Sequence, residues 1–123
     1  MMTEQAFRRM ALGLTEAVEG AHMGHPDFRV NGRIFATLQP ARNCGMVNLT
    51  PEQQQRMLRD APAIFSPESG AWGRQGCTRV HLDVAEEDIV GEALTLAWRN
   101  TVTRTKKAKS ATRPVRRRAS KRA

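Results

Sequence analysis

The uneven distribution of charge along this chain limits which part of it can fold. The chain has 20 lysine and arginine residues against 12 aspartate and glutamate residues. All 12 acidic residues lie within residues 1–102, whereas residues 103–123 contain ten basic residues and no acidic one. The second segment has Val115 as its only strong hydrophobe, so it cannot bury enough apolar surface to offset the entropy of ordering. We therefore expect one folded domain at residues 1–102 and a disordered Lys/Arg-rich tail at residues 103–123.

This tail predicts a polyanionic partner. Dense cationic charge binds nucleic-acid phosphates without sequence preference, because counterions are released on contact. Without hydrophobic anchors the tail would insert poorly into a membrane, so we expect nucleic acid, and double-stranded DNA in particular, rather than a lipid surface. A purely solubilising tail is the alternative. The predicted phosphate-binding residues of the tail are Arg104, Lys106, Lys107, Lys109, Arg113, Arg116, Arg117, Arg118, Lys121 and Arg122.

Other global features predict a cytoplasmic protein, associated with the nucleoid if the tail binds DNA. The apolar runs are too short for a transmembrane helix, and residues 1–5 lack the basic and apolar character of a secretion signal. Cys44 and Cys77 are the only cysteines, which fits a reducing compartment. We favour a monomer.

Three segments have helical patterns. Apolar residues recur at helical spacing over residues 4–13. Thr50 and Gln53 form a predicted capping box at the start of a helix that should run to about Arg59. Acidic residues precede an apolar stripe over residues 86–100, where they favour the N-terminal end of a last helix.

Three segments have strand patterns. Residues 28–39 predict a hairpin, because Asn31 and Gly32 suit a type I′ turn in which both residues need a positive φ. Residues 45–49 predict a third strand, and alternating apolar residues from Val80 through Leu82 to Val84 predict a fourth. Glycine and proline predict irregular segments at residues 14–26 and 63–76. We therefore expect an α+β fold in which helices pack on one face of an antiparallel sheet.

Five arginines of the folded part could extend the nucleic-acid surface. If the hairpin and the glycine-rich loop project on the same side, these arginines form a winged basic surface that could contact a duplex backbone. If they point apart, they are ordinary solvated charges. The five are Arg29, Arg33, Arg42, Arg74 and Arg79.

A second candidate site is a pocket formed by His25, Phe28, Trp72 and Trp98, which would suit a small molecule or a protein segment. The two tryptophans could instead pack in the core. The histidines and cysteines lack the spacing of a metal site, so we expect neither metal nor cofactor. No serine has a nucleophile elbow around it, and the glycine-rich loop lacks the Gly-Lys-Ser/Thr of a phosphate loop, so no catalytic residue is predicted.

Seven segments together carry a family resemblance: Phe7–Leu12, Glu16–Glu19, Gly24–Val30, Gly32–Leu38, Val47–Leu49, Trp72–Arg74 and Leu94–Arg99. With these segments the sequence resembles the MmcQ/YjbR family over about residues 5–100. This resemblance implies a fold similar to that of frataxin (CyaY) and a "double wing" arrangement proposed to bind DNA, and it supplies neither an enzymatic activity nor a catalytic residue. The basic tail lies outside the resemblance.

These observations together predict a non-enzymatic DNA-binding protein of low sequence specificity. The tail would supply most of the affinity for phosphate, and the winged domain would position the protein on the duplex. The alternative is a small-molecule- or protein-binding module with an incidental tail. A frataxin-like metal chaperone is disfavoured, because the first helix offers Glu4 and then Arg8 and Arg9 instead of clustered acids.

Overall fold

The structure, a computed structural model, describes the backbone of residues 1–112 and the side chains of residues 1–105. Four α-helices and six β-strands lie in this part of the chain. The helices are Glu4–Leu12 (α1), Pro51–Asp60 (α2), Gly70–Arg74 (α3) and Glu87–Thr112 (α4). The strands are Val18–His22 (β1), His25–Val30 (β2), Arg33–Gln39 (β3), Cys44–Asn48 (β4), Phe65–Pro67 (β5) and Cys77–His81 (β6).

The six strands form one antiparallel sheet in the order β1-β2-β3-β4-β6-β5. Helices α1 and α4 cover one face of it and bury its apolar side chains. Phe7 of α1 meets Phe28 of β2 with the ring centroids 6.1 Å apart, and Leu94 of α4 is buried in the same core. The α+β prediction, with helices on one sheet face, is confirmed.

Local signals in the sequence placed several elements correctly. Asn31 and Gly32 connect β2 to β3 with φ angles of 55° and 78°, as the predicted hairpin requires. At the start of α2, the Gln53 backbone N–H donates to Thr50 Oγ1 (3.2 Å) and the Thr50 N–H donates to Gln53 Oε1 (3.0 Å). The predicted capping box is therefore present.

Two segments predicted as irregular contain regular structure. Residues 14–26 include all of β1 and the start of β2, and the turn between these strands lies at Met23 and Gly24. The prediction failed because β1 is a sheet edge with mostly exposed side chains, so it has no apolar alternation. Residues 63–76 include β5 and α3, which are only 3 and 5 residues long.

The strand predicted through Val84 is also shorter than expected. It ends at His81, and Leu82–Val84 form a 3-10 turn. Leu82 is buried, whereas Val84 is 44% exposed. The apolar residues therefore continue to alternate beyond the end of the strand, and the alternation alone overestimated its length.

The last helix does not end near residue 100. It continues to Thr112, so the segment predicted as a disordered tail begins as an extension of α4. Alanine, lysine and arginine, which are frequent here, are good helix formers. The remaining tail, with Arg113, Arg116, Arg117, Arg118, Lys121 and Arg122, lies outside the described residues. Within the described range, no helix combines the length and apolar character needed to cross a membrane.

Candidate binding site on the open face of the sheet

The sheet face opposite α1 and α4 is formed by the alternate residues of each strand. One row across it follows the strand register from Asp27 through Thr37 and Met46 to Arg79 and Ser66. A cavity of about 330 Å³ lies over this open face. Its volume is within the ~300–1,000 Å³ range of small-molecule sites.

The cavity has apolar and polar walls. The less polar lining residues are Ile34, Met46, Trp72 and Cys77. The polar lining residues are His22, His25, Thr37, Gln39, Asn48 and Glu68. This combination of a largely apolar surface with a few hydrogen-bonding groups is typical of a ligand site.

Trp72 is the most exposed feature of the cavity. Its side chain lies on α3 and is 71% exposed, although an indole of this size is usually packed. Gln54 of α2 fixes the surrounding backbone, because its Nε2 donates to the carbonyl oxygens of Gly73 and Cys77, at 3.0 Å each. The short helix that carries Trp72 is therefore held in place from the protein interior, while the indole itself is free.

A buried carboxylate organises one side of the cavity. Asp27 has no exposed surface and accepts two hydrogen bonds from Arg29, from Nε at 2.7 Å and from Nη2 at 3.0 Å. Its Oδ2 also lies 2.7 Å from His22 Nδ1. The Arg29 hydrogen bond, reinforced by His22, holds the pKa of Asp27 below its usual value despite the opposing effect of burial.

A second ion pair occupies the other side. Arg79 of β6 donates to Glu68 Oε1. Burial alone would raise the pKa of Glu68, but the Ser69 backbone N–H and Arg79 outweigh it, and the pKa is lowered. Both carboxylates of the open face are thus ionised and neutralised by arginine.

Uncharged groups supply the remaining polarity of the cavity. Asn48 donates its Nδ2 to the Ile34 carbonyl at 3.0 Å, which orients the amide. Within the part of the chain that the structure describes, neither Asn48 Oδ1 nor the Thr37 hydroxyl has a hydrogen-bond partner. These groups can accept or donate hydrogen bonds to an occupant.

One end of the open face adjoins the start of the basic segment. Asn31, at the tip of the β2–β3 turn, donates its Nδ2 to Thr105 Oγ1 of α4 at 3.0 Å. A smaller depression of about 120 Å³ lies here, lined by Arg104 and Gln75 together with Asn48, Trp72 and Cys77. Because the last three residues also line the larger cavity, the two depressions lie side by side.

The structure does not bring the five predicted arginines into one patch. Arg29 and Arg79 lie on the open face and are engaged by Asp27 and Glu68. Arg33 is exposed at the start of β3, whereas Arg42 is exposed beyond the other end of that strand. Arg74 is exposed on α3. Arg33 lies beside the turn that contacts Thr105, so it is the arginine placed near the start of the tail.

The predicted four-residue pocket is divided by the sheet. His25 and Trp72 line the cavity on the open face. Phe28 is completely buried on the opposite face, in the core. Trp98 lies on α4 and donates its Nε1 to the Thr15 carbonyl at 2.9 Å, also on the helix side. The grouping was wrong because adjacent positions of a strand, such as residues 27 and 28, face opposite sides of a sheet.

Sequence reasoning missed His22, Asp27, Asn48 and Glu68. The available signal for Asp27 was Arg29, which follows two residues later and therefore lies on the same face of the strand, where it can pair with the carboxylate. Within residues 1–105, no cluster of three or more His, Cys, Asp or Glu side chains could hold a metal ion.

Cys77 should be chemically inert in the folded protein. Burial raises the pKa of its thiol to about 11, so the reactive thiolate is scarce near neutral pH. We expect alkylation by iodoacetamide at pH 8 to be about a hundredfold slower in the native protein than in urea, when followed by mass spectrometry. Equal rates in the two conditions would show that the floor of the cavity is open to reagents.

Fold and site together define a small α+β domain in which helices cover one face of the sheet and a cavity lies over the other face. The sequence model of the YjbR family matches residues 12–100, and the chain belongs to this family. The predicted family resemblance is confirmed. No curated protein matches the chain.

A solved structure with the same fold comes from Deinococcus radiodurans. It is the crystal structure of protein DR2400, a DUF419 domain, and it superposes with a TM-score of 0.68. The alignment covers 80% of this chain and 77% of that chain at 18% sequence identity. At this level of identity the likeness establishes the fold.

Proposed function

We propose that this YjbR-family protein binds the phosphate backbone of nucleic acid, with double-stranded DNA as its main partner, and that it does so without catalysing a reaction. The observation that carries the proposal is the concentration of ten basic residues, and no acidic one, in residues 103–123. A segment of this kind binds through counterion release and reads little sequence. It would place the protein in the cytoplasm, on the nucleoid.

The position of the first tail residues supports a joint role for the tail and the folded domain. Arg104 is exposed on α4, one residue before the contact between Thr105 and Asn31. Arg33 is exposed immediately after the same turn. Phosphate contacts of the tail would therefore begin at the hairpin tip, where Arg33 can add a further contact.

Neutralising the end of the tail tests this proposal. In the test variant, Arg113, Arg116, Arg117, Arg118, Lys121 and Arg122 are replaced by glutamine. Binding of a labelled 20-base-pair duplex is measured by fluorescence anisotropy over a salt series. The slope of log affinity against log salt should fall by up to about five, since each phosphate contact contributes ~0.9.

The matched control changes the same five arginines to lysine, which keeps the charge and should keep the slope. If the glutamine variant binds with unchanged affinity and slope, the tail does not contact phosphate, and the proposal fails. The proposal would also fail if the unmodified full chain did not bind the duplex at low salt.

The cavity on the open face favours a second candidate, the small-molecule-binding module that the sequence left open. Its volume and mixed lining suit a compact planar ligand more than a protein segment.

A further inference from the structure

We propose that the open-face cavity accepts one unstacked base of the bound nucleic acid, with Trp72 as its stacking surface. This inference rests on the proposed nucleic-acid binding, to which it adds the part of the nucleic acid that the folded domain contacts. The protein would hold the backbone through basic residues and an extrahelical or unpaired base through the cavity.

The exposure of Trp72 is the first observation that supports this assignment. An indole that is 71% exposed at the wall of a cavity offers a flat face to a ligand. Bases stack on such aromatic side chains in proteins that bind single strands, and the contact tolerates any base. Ile34 and Met46 add apolar surface to the same cavity.

The electrostatics of the cavity favour a neutral ring over a phosphate group. Its acidic side is satisfied, because Asp27 is paired with Arg29 and Glu68 with Arg79. Both arginines are charge-paired, and neither lines the cavity, although the buried Nε of Arg79 has no hydrogen-bond partner among the described residues. The hydroxyl of Thr37 and the amide oxygen of Asn48 can instead form hydrogen bonds with the edge of a base.

The smaller depression beside the cavity offers a place for a phosphate of the same strand, because Arg104 lines it. Trp72, Asn48 and Cys77 line both the large cavity and the smaller depression that contains Arg104. A nucleotide whose base lies on Trp72 can therefore place its phosphate on the side of Arg104 and the tail. Charge complementarity thus selects a nucleic-acid base over an isolated apolar ligand.

Extracting a paired base from a duplex is unfavourable, whereas a base that is already unpaired enters at little cost. The cavity should therefore prefer DNA with an extrahelical base over fully paired DNA. The tail by itself would bind both, because it contacts only phosphates.

Three labelled duplexes of one sequence test the proposal by anisotropy with the full-length protein. The first is fully paired, the second carries one extra unpaired base, and the third has an abasic sugar at that extra position. The wild-type protein should bind the unpaired base about tenfold more tightly than the abasic site, since base–aromatic stacking is of this size. Trp72→Ala should abolish this preference and keep the affinity for the paired duplex.

Trp98→Phe is the matched control, because Trp98 lies on the helix side, and it should keep the tenfold preference. Equal binding of the unpaired base and the abasic site by the wild type would overturn the base-binding inference, while a salt-dependent affinity for all three duplexes would leave the proposed function standing. No binding to any duplex would overturn both. Loss of affinity for all three DNAs equally in Trp72→Ala would also overturn the inference, since Trp72 would then serve the backbone contact.

Discussion

We expect a Gly76→Ala variant to lose about 4 kcal/mol or more of folding free energy. A loss of this size is exceptional for a single substitution and requires a specific structural cause. Gly76 joins α3 to β6 with a φ of +111°, which L-residues rarely adopt. A Cβ placed there would lie 1.9 Å from the Leu49 carbonyl oxygen. That oxygen is part of the backbone, so the conflict cannot be relieved by rotating a side chain. Urea unfolding followed by circular dichroism would measure the loss.

Gly32→Ala is the matched control for this variant. Gly32 also has a positive φ, of 78°, but no atom lies within 4 Å of the position its Cβ would take. The expected cost is about 1–2 kcal/mol, from the left-handed backbone alone. Similar losses in the two variants would contradict the steric argument at Gly76.

The second large effect is expected for Asp27→Asn. The change removes a buried carboxylate that binds Arg29 through both oxygens and contacts His22. Hydrogen bonds to a charged group typically contribute ~1.5–3 kcal/mol. Because the side chains of Arg29 and His22 are 35% and 44% exposed, solvent can partly compensate them, and we expect a net loss of about 2 kcal/mol at pH 7.

The same variant should change the acid limb of the stability curve. Since the pKa of Asp27 is lowered in the folded state, the unfolded chain binds its proton first as the pH falls. The contribution of Asp27 is therefore complete above its usual pKa of 3.8 and disappears as the pH drops through the lowered folded value. The wild type and Asp27→Asn should accordingly converge in stability below pH 4.

Urea titrations at several pH values would measure this convergence. Asp83→Asn is the control, because Asp83 is exposed, and its loss should stay within about 0.5 kcal/mol at every pH. A constant difference between wild type and Asp27→Asn down to pH 3 would mean that the carboxylate charge does not stabilise the fold.

The elements that the sequence predicted well are those whose signals are local. The capping box at Thr50 and the turn at Asn31 need only neighbouring residues, and both were placed correctly. The edge strand β1 gave no such signal, because four of its five residues are exposed. Its position depends on pairing with β2, which local periodicity does not report.

The candidate site was harder to predict, since it depends on which sheet face each residue occupies. Trp72 and His25 were identified by residue type, but Phe28 was assigned to the same pocket although it points into the core. The bulge between Phe28 and Arg29 in the β2–β3 pairing makes the face of each residue hard to infer without the register. The spacing of Asp27 and Arg29 on one strand face could have indicated their pairing, whereas Glu68 pairs with Arg79 of strand β6, which no spacing rule identifies.

Helix α4 crosses residue 102 without a break, so the core and the first basic residues share one rigid element. A flexible linker at this point would let the tail and the sheet cavity search for nucleic acid independently. The continuous helix instead fixes the distance and direction between Arg104 and Trp72, which raises the effective concentration of each surface once the other is bound. Inserting a short Gly-Ser segment after Val102 would remove the fixed relative position of the two surfaces and leave the charge of each unchanged.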